Sequence, residues 1–241
     1  MSLNIRKKAY ELRMQAFQFA TQDDARCIDV YIESYNLSMS IQDYPSAGVT
    51  ALNIGRAYVI MLKIRDFVQA NRWYQRSLEL FELDDFLWRA RALSHLGDLE
   101  FYLLQDATID FSKRNQEDHF LKAENYLREA LRLFPTSELE ELANTHSTLA
   151  AIYGEVGDLD KARYQAELGI KYYEETGNYI NIANTQYNLA KGLANGGYHS
   201  EAREYALAAL YIYKTFCPDF TSGIKQTEDA IKIIEHSLNN L

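Results

Sequence analysis

A self-similarity near 40 residues constrains this chain more than any other feature. When Leu149-Ala150-Ala151-Ile152-Tyr153 is set beside Leu189-Ala190-Lys191-Gly192-Leu193, Gly157-Asp158 falls opposite Gly197-Tyr198, Ala162 opposite Ala202, and Leu168-Gly169-Ile170 opposite Ala208-Ala209-Leu210, every pair 40 residues apart. Ala123, Ala130, Leu131 and Pro135 repeat the second half of the unit, Ala123 lying 39 residues before Ala162. Leu96-Gly97 supplies the matching first half, but Gly97 and Ala123 are separated by 26 residues where 12 are expected, which leaves 14 extra residues around 105–118. Asn53-Ile54-Gly55-Arg56-Ala57-Tyr58, followed by Ala70, Tyr74 and Leu78, forms a further unit. A repeat of this length is one supersecondary element that cannot bury its apolar face alone and must stack on its neighbours.

The residues at fixed places in the unit predict a helix–turn–helix. Small residues at Gly55, Gly97, Ala150 and Ala190 admit a partner helix, and Ala70, Ala123, Ala162 and Ala202 do the same on the second helix. Tyr58 and Tyr153, three positions after the small residue, fill the space beside it. Gly157-Asp158 and Gly196-Gly197 end first helices where a left-handed residue is wanted. Pro45, Pro135 and Pro218 fall between units. Valine is scarce while Ala, Leu, Glu and Tyr abound, and only three prolines occur, so the chain is expected to be helical throughout.

The pattern of leucine, Gly or Ala, an aromatic, Gly-Asp, Ala, Ala-Leu and a closing proline resembles the tetratricopeptide repeat. Its period is longer than that family's usual one and is similar to the subgroup found in kinesin light chains and Rap-type peptide receptors. The resemblance implies an all-α, right-handed superhelical solenoid that forms a single domain over residues 1–241. Its units are expected at 46–83, 86–135 with the insertion, 138–175 and 179–216, after a degenerate first unit at 4–42 anchored by Ala16 and Ala25. A capping helix is expected at 221–240, with Thr221 or Ser222 as its N-cap. The insertion reads as an exposed loop with extra helical turns.

Composition narrows the function classes. Basic residues number 25 against 34 acidic, a net charge of −9, which argues against nucleic acid or an anionic membrane surface as partner. No apolar run approaches a bilayer span, and the polar opening is no signal peptide. Cys27 and Cys217 stand far apart with no CxxC pair, as expected of a cytoplasmic protein without disulfides or structural zinc. Phosphate-loop, dinucleotide, HExxH and GxSxG motifs are all missing, and His95, His119, His146, His199 and His236 have no metal-ligand spacing. The chain is therefore expected to be no enzyme and to use no metal or cofactor. Of the 18 tyrosines, Tyr58, Tyr74, Tyr126, Tyr153 and Tyr164 are assigned to helix packing rather than to base stacking.

A binding face can be located by helical periodicity. At about 100° per residue, Asn184, Asn188, Lys191 and Asn195 share a stripe apart from the core stripe of Leu189, Ala190 and Leu193. The equivalent stripes are Asn144, Thr148, Ala151 and Glu155, then Arg91, His95, Asp98 and Tyr102, then Val49, Asn53, Arg56 and Ile60, with Tyr10, Met14 and Phe17 in the first unit. Each unit thus offers a short hydrogen-bonding side chain at Asn53, His95, Thr148 or Asn188, and cations follow at Arg56 and Lys191. In peptide-binding members of the resembled family such asparagines hold ligand backbone and such cations hold carboxylates. The resemblance carries that role to Asn53, Arg56, Asn188 and Lys191, with Arg91, His95, Asn144, Thr148 and Asn184 completing the groove; Asp98 and Glu155 depart from an all-basic lane. The expected function is a non-catalytic scaffold binding a protein or peptide segment, an acidic one best matching the cations. The alternative is a peptide-sensing regulatory domain of a larger signalling or transcription-control protein.

Overall fold

The computed structural model describes residues 2–105 and 113–239, and every secondary element among them is a helix. In chain order these are α1 (Ser2–Thr21), α2 (Cys27–Ser40), α3 (Tyr44–Ile60), α4 (Phe67–Leu80), α5 (Phe86–Gln105), α6 (Lys113–Leu133), α7 (Leu139–Val156), α8 (Leu159–Thr176), α9 (Tyr179–Asn195), α10 (His199–Phe216) and α11 (Thr221–Asn239). They form two compact units, residues 1–135 and 136–241. In the first, α1 pairs with α2, α3 with α4 and α5 with α6; in the second, α7 pairs with α8 and α9 with α10, and α11 closes on α10. Within each unit a first helix also touches the first helix of the next pair, α1 on α3 and α3 on α5, then α7 on α9 and α9 on α11.

The turns follow from a few residues. Gly157 ends α7 at φ +79°, and its successor Asp158 at once caps α8 by accepting from the Lys161 backbone N–H at 3.3 Å. Asp43, Asp66 and Asn178 cap α3, α4 and α9 in the same way. Two details differ from the expected turns. At the end of α9 the left-handed residue is Gly197, Gly196 being right-handed, because the helix runs one residue further before it breaks. Pro45 lies within the first turn of α3, where its missing N–H has no helical partner to lose. Most of the expected loop at 105–118 falls at 106–112, outside the described residues; from Lys113 onward the chain is already α6.

Packing rests on small residues meeting large ones. Ala70, Ala123, Ala162 and Ala202 are completely buried. A Cβ on Gly55 would stand 2.5 Å from the ring of Tyr74 on α4, and one on Gly97 2.5 Å from Leu127 on α6. First helices α7 and α9 meet through Gly154 and Gly192, where an added Cβ would come within 2.9 Å of backbone. Each apolar cluster then spans successive helices: Ala16, Tyr31 and Ile54 join α1, α2 and α3, and Ala143, Tyr173 and Ile182 join α7, α8 and α9. Tyr74 and Tyr153 are buried as packing residues, whereas Tyr164 is 59% exposed, since it lies on the solvent side of α8.

Candidate functional site

In the first unit, α3 turns Gly55 and Ile54 into the core, which leaves Asn53 half-buried and Arg56 exposed on the other side. Among the described residues neither side chain has a hydrogen bond or ion pair. Arg56 nonetheless acts on two buried phenols. Burial pushes the Tyr31 hydroxyl up to about 12, with Cys27 adding and Arg56 and Arg13 opposing. Burial raises Tyr74 further still, with Asp98 adding and Arg56 again opposing. On α5, the neighbouring first helix, Arg91 lies 4.8 Å over the Trp88 ring. The His95 ring stacks on Tyr74 at 5.4 Å, with its Nδ1 3.9 Å from Asp98. Around these polar groups Tyr10, Met14, Phe17, Ile60 and Tyr102 are exposed apolar surface.

In the second unit the stripe divides in two. Asn144 accepts a hydrogen bond from the Tyr173 hydroxyl at 2.5 Å, and Asn184 accepts one from the Tyr213 hydroxyl. The two pairs are one interaction repeated after 40 residues, second helix to first, and Asn184 also donates to Asn181 at 3.2 Å. Thr148 is half-buried. Asn188 and Lys191 are exposed and, among the described residues, make no side-chain hydrogen bond or ion pair. Lys191 stands on the lip of a 420 Å³ cleft between α9 and α11, floored by Tyr187, Ala190, Ala194, Ala230 and Ile234. Ile233, 69% exposed, and Asp229, held by Lys232 at 2.9 Å, form the opposite lip.

Within the first unit the fold thus carries Asn53 and Arg56 on one helix and Arg91 and His95 on the helix it touches. Within the second it carries Asn144 and Thr148 on α7, and Asn184, Asn188 and Lys191 on α9. The α9–α11 cleft is absent from the sequence reading, although Thr227 repeats the Thr185 position and puts Ala230 and Ile233 in the slots of Asn188 and Lys191. Arg13, on the same α1 side as Tyr10, is another omission; the degenerate first unit hid its register. Among the described residues no group of His, Cys, Asp and Glu side chains could hold a metal ion, and no helix is long and apolar enough to cross a membrane. Burial pushes the Cys27 thiol up to about 11, so it is protonated at neutral pH.

No family model matches the chain, and no curated protein sequence matches it. Among solved structures, BtubC (BKLC) from P. vanneervenii is similar at 16% identity over 88% of this chain and 89% of its own, with a TM-score of 0.52. Aspartyl phosphate phosphatase F from Bacillus subtilis aligns at 12% identity over 98% of this chain and 71% of its own, with a TM-score of 0.45, too loose a superposition to build on. The likeness to BtubC, together with the paired helices, defines an all-α helical-repeat fold of the tetratricopeptide-like kind.

Proposed function

We propose that the chain is a non-catalytic scaffold that binds a peptide segment of a partner protein on the exposed faces of its first helices. Asn53 and Arg56 would serve in one unit and Asn188 and Lys191 in the other, with Arg91, His95, Asn144, Thr148 and Asn184 as the walls they stand on. The observation that carries this reading is the α9–α11 cleft: an apolar recess large enough for a peptide side chain, with the unpartnered Lys191 ammonium at its edge. Such a site selects an apolar side chain next to a carboxylate, the first buried on the Ala190–Ala230 floor and the second held by Lys191. The repeat's resemblance to peptide-binding tetratricopeptide proteins points the same way, and the free thiols of Cys27 and Cys217 suit a cytoplasmic setting.

A random peptide display library panned on the full chain tests the proposal. Enriched peptides should pair Asp or Glu with a large apolar residue. Lys191→Ala and Arg56→Ala should each weaken synthetic versions about tenfold or more, through loss of a charge-assisted hydrogen bond. Both variants should melt as the parent does, since neither side chain has a protein partner to lose. Enrichment without that pairing, or undiminished binding to both variants, would sink the reading.

A further inference from the structure

A second recess, of 330 Å³, opens in the first unit where α1 passes the end of α2 and the first turn of α3. Three cations of α1 line it, Arg6, Lys7 and Arg13, together with Tyr10, Ser38 and Ser46. Arg6 and Arg13 are two helical turns apart and so share a face. The carboxylate beside them is already committed: Asp43 accepts from Arg6 Nε at 2.8 Å and, as the N-cap of α3, from the Ser46 backbone N–H at 3.4 Å. Lys7 reaches Glu11 only at 3.7 Å, with both side chains in water.

Arg13 is the anomaly. It is half-buried, yet among the described residues its one side-chain hydrogen bond is from Nη1 to the Ser46 carbonyl at 3.4 Å, and no carboxylate lies within ion-pair distance. Burial lowers its pKa even though Tyr10, Asp43 and Tyr31 pull the other way. A guanidinium that has lost hydration and gained one long bond is stabilised by an arriving anion. The Ser38 and Ser46 hydroxyls, which have no partner among the described residues, add uncharged donors on the same wall, whereas Ser34 is spent on the Ala9 carbonyl at 2.6 Å.

We propose that this recess is a phosphoryl-binding site, with Arg6, Lys7 and Arg13 holding the oxyanion and the Ser38 and Ser46 hydroxyls completing its shell. Three cations and two hydroxyls exceed what the two oxygens of a carboxylate can use and match the three terminal oxygens and near-double charge of a phosphate. The volume leaves room for an organic group beyond the phosphoryl, beside the exposed ring of Tyr10. The site shares no residue with the peptide-binding stripe, so the two proposals stand or fall separately.

Calorimetric titration of the full chain at pH 8 and fixed ionic strength tests it, with phenyl phosphate, inorganic phosphate and benzoate as probes. Phenyl phosphate should bind at least about tenfold tighter than benzoate. Arg13→Gln and Arg6→Gln should each cost about tenfold, and Arg72→Gln, exposed on α4, should cost nothing. Tighter binding of phenyl phosphate than of inorganic phosphate identifies an ester as the ligand; equal binding identifies the free ion, and either supports a phosphoryl site. Benzoate binding as well as phenyl phosphate, no binding of either phosphate, or full affinity in both arginine variants overturns it. Should Arg13→Gln lose its helical circular dichroism, the solvated Lys7→Gln decides by the same criterion.

Discussion

Asparagine on the first helices shows how one residue type at one helical period ends in two roles. At Asn144 and Asn184 a buried tyrosine on the second helix, Tyr173 or Tyr213, donates its hydroxyl to the amide oxygen. At Asn53 and Asn188, one helical turn along the same stripe, no protein group arrives. The tyrosine needs this bond because its ring is almost wholly inside, where an unpaired hydroxyl is costly. Tyr173→Phe and Tyr213→Phe are therefore expected to lower unfolding free energy by about 0.5–1.5 kcal/mol each, seen as a lower urea midpoint with an unchanged slope. The loss should be larger at Tyr213, because Asn144 is exposed and water can replace the hydroxyl there, while Asn184 is only half-accessible. A stability gain in either variant would show that the pair contributes nothing. Periodicity alone could not separate the two roles, since a stripe position looks identical in sequence whether a tyrosine or a ligand meets it.

The helix pair depends on turns that stop one helix and start the next within two residues. Gly157 supplies the left-handed stop, and Asp158 supplies the cap, its carboxylate also 2.6 Å from the Lys161 ammonium. Those hydrogen bonds from Lys161 hold the Asp158 carboxyl below its usual range. The sign of the linkage follows: a folded-state pKa below the unfolded value of about 3.9 gives stabilisation that is complete above that value and disappears as pH falls through the lower folded one. Asp158→Ala should cost about 0.5–2 kcal/mol at pH 7 and progressively less below about pH 4, so parent and variant melting temperatures should converge in acid. A constant gap down to pH 2 would mean that the cap's charge is irrelevant and that the loss lies elsewhere in the turn. The Gly-Asp step was readable because this physics leaves only a few residue types at each position. The cap of α9 at Asn178 and the glycine stop of α8 at Gly177 obey the same rule, yet they lie in turns between pairs, where the 40-residue comparison gives no matching glycine.

At the scale of the whole molecule, the all-helical repeat was legible because small residues must recur wherever helices close on one another. What the pattern does not encode is contact between first helices of successive pairs, such as Gly154 on Gly192, or the cleft that α11 forms with α9. Those depend on how one pair is set against the next, which no spacing within a single pair specifies. Arg13 stayed hidden for a related reason: without Gly-Asp or paired alanines at repeat spacing, α1 and α2 offer no register to read. Stability in such a fold is a sum of terms within a pair and between neighbouring pairs. Residues 1–135 contain three pairs and the clusters that join them, from Ala16, Tyr31 and Ile54 to Leu52, Tyr74 and Leu96. Three stacked repeats suffice for a continuous core. A fragment of residues 1–135 should therefore be helical by circular dichroism, unfold cooperatively in urea, and have a slope roughly in proportion to its share of the surface exposed on unfolding. Residues 136–241 hold two pairs and one closing helix, one pair fewer, and should unfold at a lower urea concentration when made alone. A fragment 1–135 that melts without a cooperative transition would show that its three pairs are not self-sufficient, and the nearest-neighbour account of this fold would have to be abandoned.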